Sequence, residues 1–140
     1  DFALASSTLN NIKKKELLID LIKDIKSIDD DIVDSSLHYS FKKLIKKIDN
    51  HIVDKEDWLA FELHFRNSHS QFFVNLRDRH PDLSSNEIKL SAYLKLNLSS
   101  KEIASLMNVA ITSIEQSRYR LRKKFNLSKE VNLSNYIQSF

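Results

Sequence analysis

No glycine occurs anywhere in this chain of 140 residues, and Pro81 is its single proline. Sheets rely on tight hairpins, which draw on glycine, Asn-Gly and proline for backbone angles that other residues resist. A chain lacking these signals is expected to be all-α, with turns built on Asn and Ser. A hydrophobic content of 41% suffices for a packed core in one or two small domains. There is no cysteine, which excludes disulfides and Cys-based zinc sites and fits a reducing compartment. No apolar run reaches the roughly 18 residues of a membrane span, and no signal peptide is visible. The first residue is Asp1 rather than Met, so the chain is read as an excised fragment; its expected location is cytoplasmic. An inner-membrane anchor of the whole protein is expected upstream, if it has one.

The run from Ser99 to Leu127, SSKEIASLMNVAITSIEQSRYRLRKKFNL, holds two short helical patterns around a tight turn. Ser99 and Glu102 have the spacing of a capping box, in which each side chain satisfies a backbone donor of the other. Ile103, Leu106 and Met107 supply apolar positions, and Ala104 allows close helix approach. Asn108 breaks the pattern, and Asn readily takes the left-handed conformation that ends helices. A turn is therefore expected over Asn108 to Ile111. Ile114, Leu121 and Phe125 then share one stripe of a second helix.

At about 100° per residue, Thr112, Glu115, Gln116, Tyr119 and Lys123 fall within one quadrant opposite that stripe. Arg118, Arg120, Arg122 and Lys124 flank it. Such a helix can lie in a major groove, its polar face toward base edges and its cations toward the phosphates on either side. An amphipathic helix with a solvated basic face is the plainer alternative. Charge along the chain agrees with a nucleic-acid partner for this half. From Ser84 onward nine Lys and Arg stand against four Asp and Glu, a net of +5, while Asp1 to Leu83 has thirteen against fifteen, a net of −2.

The N-terminal half reads as long helices. Leu18, Leu21, Ile25, Ile28 and Ile32 follow the 3-4-3-4 spacing of a coiled-coil seam, widened by Leu17 and Ile22. Asp29, Asp30, Asp31 and Asp34 suggest a break, with Ser35 or Ser36 capping the next helix. That helix is expected to run from about Leu37 to Val53, burying Leu37, Phe41, Leu44, Ile45, Ile48 and Ile52 and presenting Lys42, Lys43, Lys46 and Lys47 to solvent. The two stripes either bury each other within one chain or form a homodimer, which would set two recognition helices about one DNA turn apart, on the order of 34 Å.

Trp58, Phe61 and Phe65, then Phe72, Phe73 and Leu76, form an aromatic stripe read as core. Ser84 and Glu87 make a further capping box, opening a helix that buries Ile88, Ala92, Tyr93 and Leu96. Leu133, Tyr136, Ile137 and Phe140 read as a last packed helix. The expected organisation is a dimerisation and signal-relay segment over 1–56, connecting helices over 57–83 and a reader over 84–140.

Leu98, Ser99, Lys101, Glu102, Ile103 and Ala104 match the L-S-x-K-E-I-A opening of LuxR-type helix-turn-helix regulators, which the region Asp57 to Leu127 resembles. Three segments, DWLAFELHF from Asp57, HPDLSSNEIKLSAYLKLNLSSKEIA from His80 and SRYRLRKKF from Ser117, are similar to the cytoplasmic output region of Bacteroidetes sensor regulators of the propeller and three-tyrosine type. The resemblance implies a four-helix DNA-binding domain whose base-reading residues fall on Glu115, Gln116 and Tyr119. It places backbone contacts on Lys101, Thr112, Arg118, Arg120 and Lys123. Double-stranded DNA is the implied partner, RNA polymerase a further one, and no cofactor, metal or small-molecule site is implied. Ala110 stands where such regulators often carry a capping Ser, a role Thr112 can take with Glu115, and Asn108 replaces the turn glycine.

Rival classes remain. A helical phosphorelay or protein-interaction module shares the all-helical composition, although a phosphorelay His wants a small neighbour, usually Gly. His64 and His69 are five apart, not the four that a helical metal pair prefers. Sigma factors carry a similar promoter-binding element, but with a further helical domain this fragment lacks. No nucleophile elbow, phosphate loop or catalytic carboxylate pair occurs, so an enzyme is not expected.

Overall fold

The computed structural model describes the backbone of residues 2–52 and 56–140, and among these every regular element is a helix, so the chain is all-α. In order these are α1 (Phe2–Asp30), α2 (Ser35–Ile52), α3 (Glu56–Ser68), α4 (Phe72–Arg79), α5 (Ser85–Lys95), α6 (Ser100–Met107), α7 (Ile111–Lys124) and α8 (Leu133–Gln138).

The core sits in the C-terminal two thirds. Phe61 and Phe65 of α3 and Phe72, Phe73 and Leu76 of α4 are buried together, with ring centroids 5.2 Å apart for both Phe65–Phe72 and Phe65–Phe73. Trp58 is only half-buried and stacks on Phe61 at 5.4 Å. Central to this core is α5, which is closed nearly all round. Leu90, Ser91 and Leu94 are buried as well as the expected Ile88, Ala92, Tyr93 and Leu96. Buried Ser91 returns its hydroxyl to the Glu87 carbonyl at 2.8 Å, which satisfies that group inside the core. At the far end α5 and α8 cap one another. The Gln138 amide donates to the Lys95 carbonyl at 2.7 Å, and the Lys95 ammonium donates to the Gln138 carbonyl at 2.8 Å. Leu133 and Ile137 of α8 are buried, as expected, with Tyr136 and Phe140 packed at the margin.

Asn does the work that glycine does elsewhere. The positive-φ residues among those described are Asn97, Asn108 and Asn126 at φ 60, 54 and 54°. They end α5, α6 and α7 in the same way. The amide after each Asn reaches back five residues, Leu98 to Tyr93 at 3.3 Å, Val109 to Ala104 at 3.0 Å and Leu127 to Arg122 at 3.1 Å. The Asn amides bond Leu94, Ser105 and Lys123, completing three Schellman motifs with an apolar residue behind each.

In the N-terminal half α1 is a single helix of 29 residues serving two neighbours. Its first half docks on the core: Leu4 is buried there, Leu9 packs beside it, and the Lys15 ammonium donates to the Ser105 carbonyl of α6 at 2.6 Å. Its second half pairs with α2. The break falls in the acidic cluster as expected, but Asp34, not Ser35 or Ser36, caps α2. Its carboxylate accepts from the Ser36 amide and hydroxyl, both at 2.9 Å, and the amide bond holds its pKa below the ordinary carboxylate value. His38 Nδ1 bonds Asp29 Oδ1 across the hairpin. Burial along this pair is thinner than the apolar pattern implies. Ile22 is buried, but Leu17, Leu21 and Ile28 are exposed, and so are Leu37 and Leu44, which were expected inside. Phe41, Ile45 and Ile48 are half-buried. Two helices simply have too few neighbours to close stripes this wide. Val53 and the side chain of Ile52 lie outside the described residues.

Candidate nucleic-acid interface

Two helices joined by three residues build the site. Ser99 caps α6 by accepting the Glu102 amide at 3.2 Å. The expected reciprocal box is only half made, because the Ser99 hydroxyl itself donates to Glu102 Oε1 at 2.9 Å. Both arms are present instead at Ser84 and Glu87, at the start of α5. Ile103 and Ala104 anchor α6 in the core, and Asn108 takes the left-handed angles that turn the chain into α7.

Ile114, Leu121 and Phe125 are buried, which fixes the roll of α7. Glu115, Gln116 and Tyr119 consequently face outward together, with Thr112 and Lys123 beside them, all exposed. Tyr119 is 60% exposed, and the Lys123 ammonium lies 4.6 Å from its ring centre. Glu115 is the one acidic residue on this helix. The expected Thr112 and Glu115 cap does not form. Ala110 is the N-cap residue and no side chain caps α7, because Thr112 already sits inside the first turn.

The cations divide by flank. Half-buried Arg118 turns toward α6, its guanidinium 3.4 Å from the Ser100 hydroxyl, near exposed Lys101. Arg120 is exposed on the other flank, 3.3 Å from the Ser117 hydroxyl. Arg122 and Lys124 do not join an outward cluster as the charge pattern suggested. Arg122 donates to the Val131 and Ser128 carbonyls at 2.6 and 2.7 Å, clamping the loop before α8. Lys124 pairs with Glu87 at 2.8 Å and donates to the Asp82 carbonyl at 3.0 Å, tying α7 to α5. Partial burial alone would raise the Glu87 carboxyl. Hydrogen bonds from Lys124 and the Ser84 amide, with the Lys124 charge, outweigh it and hold the pKa below its ordinary value.

Two features escape sequence reasoning. Ile111, expected in the turn, is the first residue of α7 and is exposed at its tip, with Val109 exposed behind it. A notch of about 270 Å³ also opens between α5 and α7, bordered by Ser84, Asn86, Ser113, Ser117 and Arg120. Its walls come from positions some thirty residues apart, which no local pattern relates.

Compared with known proteins, the chain matches no family model, and no curated protein or solved structure is significantly similar to it.

Proposed function

We propose that this chain is a sequence-specific DNA-binding transcriptional regulator, the dimeric output part of a larger sensor protein that works in the cytoplasm. The observation that carries the reading is the outward face of α7, where Glu115, Gln116 and Tyr119 stand exposed together between cationic flanks. Glutamine offers the donor and acceptor pair that adenine's major-groove edge requires, and glutamate accepts from the cytosine amino group. The Tyr119 ring and the exposed methyls of Ile111 suit a thymine methyl. Arg120, Lys123 and Lys101 meet phosphates, with Thr112 and Arg118 at the edges of the same face. Buried Ile114 and Leu121 fix the roll of the helix so that these groups point one way. LuxR-type regulators, which the sequence resembles, use a helix in this position for the same purpose.

Selection of bound duplexes from a random pool tests the proposal, with an inverted repeat as the expected product. On that duplex Gln116→Ala or Tyr119→Ala should cost about 1–3 kcal/mol and relax preference at single base pairs. Arg120→Ala or Lys123→Ala should weaken binding to every duplex and lower the salt slope by about one. Equal losses on selected and random DNA for all four variants would sink the assigned roles.

A further inference from the structure

Among the described residues, the hairpin of α1 and α2 has one apolar face that nothing covers. On α1, Leu17, Leu21 and Ile28 are exposed and lie about a quarter turn from the side that meets α2, counting about 100° per residue. On α2, Leu37 and Leu44 are exposed and lie slightly less than a quarter turn from the side that meets α1. Because the arms run in opposite directions, these offsets bring both rows to the same face of the hairpin. Half-buried Ile25, Phe41 and Ile48 form its floor.

Charge distinguishes the outer edges of this face. Asp20 and Asp24 are exposed along the outer flank of α1, and Lys43 and Lys47 along the outer flank of α2. The bond between Asp29 and His38 sets the register of the arms. Stepping back along both from that pair, Asp24 comes level with Lys43 and Asp20 with Lys47.

Two identical faces can be stacked by a two-fold axis in either of two directions. An axis running across the helices sets α1 on α1 and α2 on α2, acid against acid and lysine against lysine. An axis running along the helices sets each α1 on the other copy's α2 and keeps every residue at its own height. Asp20 and Asp24 then meet Lys43 and Lys47 of the other copy, within a turn of one another.

We infer that a second copy of this chain covers this face, in a four-helix bundle whose two-fold axis runs along the helices, each α1 resting on the other copy's α2. The aliphatic rows supply the attraction, and the flanking charges select the direction of the axis. Both DNA-reading ends then emerge at the same end of the bundle, where the first half of α1 docks on α6. The crossed arrangement sends them to opposite ends. This deepens the dimeric reading proposed above and rests on it for its purpose, but the pairing itself requires no DNA.

The absence of native cysteine makes the test direct. Asp24→Cys and Lys47→Cys are prepared separately, mixed, and treated with a short bis-maleimide in the absence of DNA. Cross-linked dimer should form several-fold more in the mixture than in either variant alone. A yield in Asp24→Cys alone that equals the mixture, or a chain sedimenting as a monomer at micromolar concentration, overturns the inference. Leu21→Asp combined with Ile28→Asp should give a monomer whose tyrosine and tryptophan near-ultraviolet signal is unchanged, and a dimer that survives this pair overturns it equally. Charge reversal at Lys43 and Lys47 should weaken association, and reversal at Asp20 and Asp24 in the same chain should restore it. Loss of DNA binding by Gln116→Ala with cross-linking intact points to the reading face alone, so the two proposals fail separately.

Discussion

Two regions of comparable apolar content meet very different fates in this molecule. From Phe61 to Ile137, α3 to α8 bury most of their large side chains, and Phe65, Leu76, Ile103, Leu121 and Ile137 have no exposed surface. Between residues 13 and 52, Ile22 is the one buried hydrophobic among the described residues, while Leu17, Leu21, Ile28, Leu37 and Leu44 face outward. Six short helices surround one another, whereas two long ones can only lie side by side. The first region fixes the roll of α7 through buried Ile114 and Leu121. The second leaves much of its apolar surface open.

The sharpest way to break that contrast is to truncate one residue from each region. Phe65→Ala removes a ring that touches Phe61, Phe72 and Phe73. It should lower unfolding free energy in urea by about 3–5 kcal/mol, the usual cost of emptying a closed aromatic site. Leu21→Ala, measured on dilute monomer, should change it by no more than about 0.5 kcal/mol, as for a surface position. Similar losses for both variants would show that the hairpin is as tightly closed as the core.

A smaller effect is expected where the chain turns without glycine. Asn108→Ala places a methyl in the left-handed region at φ 54° and should cost about 1–2 kcal/mol. Asn108→Gly should be close to neutral there, since glycine adopts that angle freely. A loss as large for Gly as for Ala would mean that the Asn side chain, not its backbone tolerance, ends the helix.

How much of this was legible in the sequence depends on whether the signal is local. Helix ends were readable because their causes lie within a few residues: Ser84 with Glu87, Ser99 ahead of Glu102, and Asn108 behind Met107. The outward face of α7 was readable because Ile114, Leu121 and Phe125 fix its roll by spacing alone. Periodicity failed where a second surface decides. It marks Leu21 and Leu37 as apolar-stripe residues but is silent on how many neighbours arrive to cover them. It treats Arg122 and Lys124 like Arg120, because whether a cation meets solvent, a Val131 carbonyl or Glu87 is set by chain that returns from elsewhere. The docking of Lys15 on Ser105 joins residues ninety apart and left no trace in either segment.

The smallest expected effect probes that returning chain. Glu87 takes bonds from Ser84 and Lys124, which keep its carboxyl below the ordinary value of 4.5. Unfolding releases it to that ordinary value, so the unfolded chain binds the proton first as pH falls. The stabilisation is therefore complete above about pH 4.5 and is lost as pH drops through the lower folded value. A partly exposed pair of this kind contributes about 0.5–1 kcal/mol, roughly 3 °C in melting temperature for a chain of this size. Lys124→Met removes the chief cause of the depression, so its melting temperature should start lower at neutral pH and fall less steeply through the carboxylate range. Phe61 and Phe65 carry no such dependence, and the hairpin's depressed carboxylate, Asp34, bonds Ser36 rather than a cation. A pH profile unchanged by Lys124→Met would therefore place the acid sensitivity outside the α5–α7 clamp and separate the orientation of α7 from this ion pair.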